Sequence, residues 1–191
     1  LTAEAQRLVP LQRIAEVLRR LVQEEVSIRY LREICESLIV WGPREKDIVM
    51  LTEYVRVDLG RFIVPRYLDP KGALRAVVLG PDAEKAIRDA IQQGAGGSFL
   101  ALDPAASAAL LAGAESVLSG SRSEGPQILL APMDVRRYLK KILAARLPSL
   151  VVLSYQELPS HVQIQTAGTL GLLSAPHRRL AGTWTPHPSS T

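Results

Sequence analysis

The sequence predicts an α+β protein. A small N-terminal helical bundle is followed by a small α/β domain with a mixed sheet, and then by a disordered C-terminal tail. Three observations carry this. Apolar residues recur at helical spacing through residues 1–70. Short β-branched runs alternate with helical stretches over 71–170. Periodicity stops at Gly171, where Pro, Gly and Ser/Thr take over for 171–191. The expected units are therefore a helical subdomain (1–70), an α/β subdomain (71–170) and a mobile tail (171–191).

In the first unit, Leu11, Ile14, Ala15, Leu18, Leu21 and Val22 follow the i, i+3, i+4, i+7 pattern of a buried stripe. Pro10 suits a first helical position, where a missing N–H leaves no bond unmade. Glu16, Arg20 and Glu24 alternate in sign at i, i+4, as on a solvated face. Ser27 reads as an N-cap, with Val26 and Leu31 as an apolar staple across it. Leu31, Ile34, Cys35 and Leu38 continue the buried stripe until Gly42-Pro43 stops the helix. Asp47 caps a third helix carrying Ile48, Leu51, Val55, Leu59 and Phe62 inward.

In the second unit, Leu74–Leu79 is a β-branched run between Gly72 and Gly80-Pro81, hence a strand. A helix is expected over Pro81–Gln93, and a second from the Asp103-Pro104 cap to Leu118. Ile128–Ala131 and Leu150–Leu153 read as buried strands around a helix over Pro132–Leu147. Val162, Ile164 and Thr166 alternate with Gln163 and Gln165, the period of a half-exposed strand. Gly120–Gly125 is a loop.

Composition narrows the function. Apolar residues make up 47% and charged residues 22%, which excludes a largely disordered chain. A single cysteine, Cys35, excludes an internal disulfide and a multi-cysteine zinc site. No apolar run approaches the roughly 18 residues a membrane helix needs, and no basic-then-apolar leader opens the chain. The first residue is Leu1 rather than methionine, as in a processed chain or a piece of a longer one. The net charge of +4 is unevenly spread. Residues 1–70 carry 11 basic and 11 acidic side chains, which argues against a DNA-binding face there. The one concentrated basic patch is Arg136, Arg137, Lys140 and Lys141, a candidate surface for an acidic partner.

Catalytic chemistry finds no constellation. Gly94–Ser98 (GAGGS) follows a helix and carries no lysine, so it reads as a helix stop and flexible loop, not a phosphate cradle. His161, His177 and His187 share no helix face, so no metal is expected. Cys35 lies in a core stripe and reads as filler. Ser154-Tyr155-Gln156-Glu157 has no G-x-S-x-G context and no acid–histidine partner. The expectation is a non-enzyme without cofactors.

Val26-Ser27-Ile28-Arg29-Tyr30-Leu31-Arg32, with Ile34 and Glu36-Ser37-Leu38 after it, resembles the "V-x-I-R-D-L … I-x-E-x-L" helix of the type III secretion export-gate (FHIPEP) family. Trp41-Gly42-Pro43, Lys46-Asp47 and Leu51-Thr52-Glu53-Tyr54-Val55-Arg56 are similar to its next helix. Asp134-Val135-Arg136-Arg137-Tyr138-Leu139 resembles a later helix. Leu147-Pro148-Ser149-Leu150-Val151-Val152-Leu153-Ser154-Tyr155-Gln156-Glu157-Leu158 resembles its near-terminal strand. The matches run in family order from about Leu11 to Gly168. Tyr30, Gly80-Pro81-Asp82 and Ala131 depart from the common pattern.

The resemblance implies a large membrane protein of flagellar and injectisome export machines, with its C-terminal part on the cytoplasmic face of the bacterial inner membrane. It implies a nonameric ring that receives secretion chaperones with their substrates, the gatekeeper and the ATPase-linked stalk protein. The helical unit corresponds to the ring-packing subdomain and the α/β unit to the partner-facing one. The membrane would be reached only through a missing N-terminal domain, and nucleic acid would not be a partner. Arg44, Glu45, Glu53 and Arg56, taken as a charged set on the outer side of the third helix, are candidate ring contacts. Tyr155-Gln156-Glu157-Leu158 leans toward the injectisome branch. The competing reading is a nucleic-acid-binding adaptor built on a helix-turn-helix-like Leu11–Leu38.

Overall fold

A computed structural model describes residues 1–95, 97–121 and 125–172. The expected tail lies outside these residues from position 173 on, as do His177, His187 and most of the loop after Gly120.

The first unit is helical throughout: α1 (Thr2–Leu8), α2 (Leu11–Gln23), α3 (Leu31–Trp41), α4 (Ile48–Asp58) and the short α5 (Gly60–Ile63), closed by a 3₁₀ turn at Val64–Tyr67. Asp47 caps α4 as expected, its Oδ1 accepting from the Val49 N–H at 2.7 Å. Two other expected starts move. Pro10 is the N-cap of α2 rather than its first residue, because α1 precedes it. Ser27 caps no helix. Its hydroxyl accepts from the Arg29 N–H inside a turn, and α3 begins four residues later. Leu31 is accordingly exposed rather than stapled onto Val26.

The second unit is built on four parallel strands in the order β5-β4-β1-β6. These are β1 (Ala73–Leu79), β4 (Ile128–Ala131), β5 (Val151–Ser154) and β6 (Gln163–Leu170). Antiparallel pairing is confined to a separate hairpin, β2 (Ile91–Gly94) with β3 (Gly97–Leu100). This hairpin corrects two expectations. The helix α6 (Pro81–Asp89) stops short of Gln93, and Gly94, Gly97 and Ser98 of the glycine-rich run pair within the hairpin instead of lying in a loose loop. Gly97 adopts φ 108, a backbone open to glycine and strained for other residues. The Ser98 hydroxyl donates to Asp47 Oδ2, tying the hairpin to the start of α4. Helices α7 (Pro104–Gly120) and α8 (Met133–Leu143) complete the unit, with Asp103 capping α7 through the N–H groups of Ala105 and Ala106.

Alternation along the strands gives the sheet two buried faces. Leu129, Ala131 and Val152 pack with Ala83, Ile87, Leu110 and Leu139 of α6–α8. Leu74, Ala76, Ile128, Leu130 and Leu153 point the other way and join Leu21, Ile34, Leu51, Val55 and Leu59 of the helical unit. The helical unit therefore covers one face of the sheet and shares a core with it. Strand β6 lies at the edge. Its first four residues are exposed on both sides, so the apolar/polar alternation over 162–166 does not become a buried face there.

Candidate functional site

Where the two units meet, ionisable groups are buried. Glu53 and Arg56 stand one turn apart on α4, Arg136 projects from α8, and Glu157 sits in a 3₁₀ turn after β5. Glu24 closes the end of α2. The Arg136 side chain is 0% exposed and that of Glu53 1%. Arg136 donates to Glu53 through Nε (2.5 Å) and Nη2 (2.6 Å), and to Glu24 through Nη1 (2.7 Å) and Nη2 (3.1 Å). Its Nη1 also reaches the Val152 carbonyl of β5. Arg56 donates to Glu157 through Nε (2.8 Å) and Nη2 (3.3 Å). Arg56 Nη1 stands 3.2 Å from Glu24 Oε2 without a hydrogen bond. Arg137 lies at the rim, 3.8 Å from Glu24.

Three carboxylates thus face two buried guanidiniums, and Arg137 supplies a third positive charge. Burial alone pushes the Glu24 carboxyl up. The charges of Arg136 and Arg56 outweigh it and hold the group at about 2, against an ordinary value of 4.5. Burial opposes the charge on Arg136 as well, but Glu53 and Glu24 raise its pKa well above the ordinary guanidinium range. Glu24 and Arg136 therefore both stay ionised across physiological pH. Such networks fix one arrangement of their parts more than they add net stability, because desolvation consumes most of the Coulombic gain.

This arrangement corrects several sequence expectations. Arg136 is no surface patch. It is consumed by Glu53 and Glu24, because the core-facing side of α8 meets α4 there. Lys140 is half-buried, donating from Nζ to the carbonyls of Leu150 (2.6 Å) and Pro148 (3.2 Å). Of the expected basic patch, only Lys141 is exposed, with Arg137 partly so. Glu53 and Arg56 are equally unavailable as ring contacts, since the side of α4 that carries them faces the α/β unit. Arg44 is exposed, whereas Glu45 is half-buried, its carboxylate accepting from the Asp47 N–H. Glu24 belongs to the network and not to the solvated face of α2. Sequence reasoning missed Glu24 and Glu157 as site residues. Glu157 lay inside a stretch carrying the family resemblance, the one signal that pointed to it.

Beside the network opens a cleft of about 480 Å³ between the units. Its walls include Arg29, Arg66, Tyr67 and Phe62 from the helical unit, and Lys140 and Leu150 from the α/β unit. Tyr30 and Phe62 stack with ring centroids 4.1 Å apart. Glu25, also lining the cleft, holds φ 58 at the end of α2, where helices commonly place glycine. The N–H groups of Val26 and Glu25 bond back to the Leu21 and Val22 carbonyls, closing the helix through this left-handed residue.

The FHIPEP family pattern matches residues 1–163. The chain belongs to the FHIPEP family. It is 46% identical over 168 residues to Protein hrpC2 of Xanthomonas euvesicatoria, covering 88% of this chain and 26% of that protein. The chain thus spans about a quarter of the length of the curated FHIPEP relatives it matches. Its fold superposes on the Chlamydia pneumoniae CdsV protein in its complex with CdsO, with TM-score 0.82, 41% identity, and 88% of this chain and 50% of that one covered. It also superposes on nonameric EPEC SctV-C, with TM-score 0.80, 38% identity, and 87% and 50% covered. The similarity is to cytoplasmic domains of type III export-gate proteins, as the resemblance implied.

Proposed function

We propose that this FHIPEP chain is part of a ring-forming docking platform of a type III protein export apparatus. Helix α2 carries the observation that supports it best. Its buried side is Ile14, Val17 and Leu21. Leu11, Ala15 and Val22 occupy an adjacent stripe and remain exposed, Leu11 at 64% and Val22 at 54%. Leu1 and Leu8 of the preceding segment are exposed as well. The helix is therefore apolar over a wider arc than the described residues cover, and that excess marks a contact surface. A second copy of the chain is the occupant that a nonameric relative favours. The expected buried stripe of α2 was half core and half this outer face.

In this reading the ring receives chaperone–substrate complexes, a gatekeeper and a stalk protein; that a similar chain, CdsV, forms a complex with CdsO supports partner binding in general. It works at the cytoplasmic face of the inner membrane, anchored by the parent protein, and without catalysis. The buried ionisable groups neutralise one another, which suits a scaffold. Sedimentation of this chain, alone and extended to the length of its relatives' cytoplasmic domains, tests the proposal. Assemblies that Leu11→Glu with Val22→Glu returns to monomers are expected. Strictly monomeric behaviour of both forms at high concentration would sink it.

A further inference from the structure

We infer that the interdomain cleft is a binding site for an acidic peptide segment bearing an apolar side chain. Three cationic side chains outside the buried charge network, Arg29, Arg66 and Lys140, line it beside one carboxylate outside that network, Glu25. Glu24 is already committed to Arg136 and Arg56. Among the described residues, Arg29, Arg66 and Lys140 pair with no carboxylate: Arg66 donates to the Glu25 carbonyl and Lys140 to two carbonyls. An incoming carboxylate would supply what these groups lack.

The rest of the lining selects among anions. Phe62, Tyr67, Leu59, Ile63 and Leu150 give the cleft an apolar wall beside its cations. A carboxylate next to an aromatic or aliphatic side chain matches both features in one short stretch of peptide. A polyphosphate or nucleic acid would bring repeated charge past the Glu25 carboxylate and leave the apolar wall unused. Strand addition is also disfavoured. Strand β5 forms this edge of the sheet, but the Leu150 and Val152 carbonyls beside it already accept from Lys140 and Arg136. The peptide is held by side chains, and electrostatic complementarity sets its specificity. The site lies within one chain and stands whether or not the chain forms a ring.

Fluorescence anisotropy with this chain tests the inference. The probes are a short fluorescein-labelled peptide of alternating Glu and Leu with a central Phe, its counterpart with Lys for each Glu, and an oligothymidylate of similar length. The acidic peptide binds about tenfold or more tighter than the lysine peptide. Arg29→Glu with Arg66→Glu weakens it by about tenfold or more while the far-ultraviolet circular dichroism is unchanged, since both side chains are exposed. Lys71→Glu, outside the cleft, leaves the affinity as it was. Equal binding of the two peptides, indifference to the double reversal, or equally tight binding of the oligothymidylate at the same residues would overturn it.

Discussion

Arg136 of α8 and Glu53 of α4 lie 83 positions apart in sequence and form a two-pronged ion pair with almost no exposed surface. The pair joins the α/β unit to the helical unit at the bottom of their common core. Glu24, Arg56 and Glu157 extend it, so that four separate segments meet in one charge network.

Removing one member of the pair strands the other in the core. Glu53→Gln or Arg136→Met is expected to destabilise the chain by about 3–5 kcal/mol, read from urea unfolding midpoints. Replacing both by apolar residues is expected to cost less than the two single changes added together, the signature of direct coupling in a double-mutant cycle.

Stability should fall in acid through Glu24. Its carboxyl is depressed from 4.5 to about 2 in the fold. A depressed carboxyl contributes stability that is fully present above its unfolded value and lost as pH falls through the folded one. The shift corresponds to about 3 kcal/mol, lost between pH 4.5 and 2. Thermal melts across that window should show the loss, and Glu24→Gln should flatten the slope while lowering stability at neutral pH.

Glu25 occupies a left-handed backbone position with φ 58. Glu25→Gly removes that strain and should raise stability by about 1 kcal/mol, despite the added freedom of the unfolded chain. An unchanged or lowered urea midpoint would count against strain at this residue.

At Gly60 two effects compete. Alanine in a helix is favoured over glycine by about 1 kcal/mol. A Cβ at this position, however, would stand 2.1 Å from the Glu157 carbonyl oxygen and 2.9 Å from its carbonyl carbon. Backbone cannot yield cheaply, and overpacking of this kind costs about 1–3 kcal/mol. Gly60→Ala should therefore destabilise, and it should do so by displacing Glu157 from Arg56.

Periodicity and punctuation made much of the fold legible. The Asp47 and Asp103 caps and the strand runs at Leu74–Leu79 and Ile128–Ala131 rest on local patterns that tertiary contacts do not override, as does the helix after Pro132, although it starts at Met133 and ends at Leu143 rather than Leu147. The hairpin over Ile91–Leu100 was hidden because its strands are short and exposed, and Gly94–Ser98 reads equally well as a helix stop. The site was harder for a different reason. Charged residues are ordinarily at the surface, so Arg136, Glu53 and Arg56 looked exposed. Only the packing of α8 and α4 across the sheet edge shows that they neutralise one another. The family resemblance contained the answer in outline, since these three residues and Glu157 all lie in the stretches that carry it. Likewise, the apolar arc of α2 announced burial but not which part of it the described residues cover.

The buried charges bolt the two units into one body. Native-state hydrogen exchange, followed on both units of the wild-type chain and of Glu53→Gln, tests it most directly. Amides of α4 and of β4 are expected to open together in the wild type with the same free energy. In Glu53→Gln the helical unit should open at lower free energy, ahead of the sheet. Independent opening of α4 in the wild type, or an unchanged exchange pattern in Glu53→Gln, would contradict it.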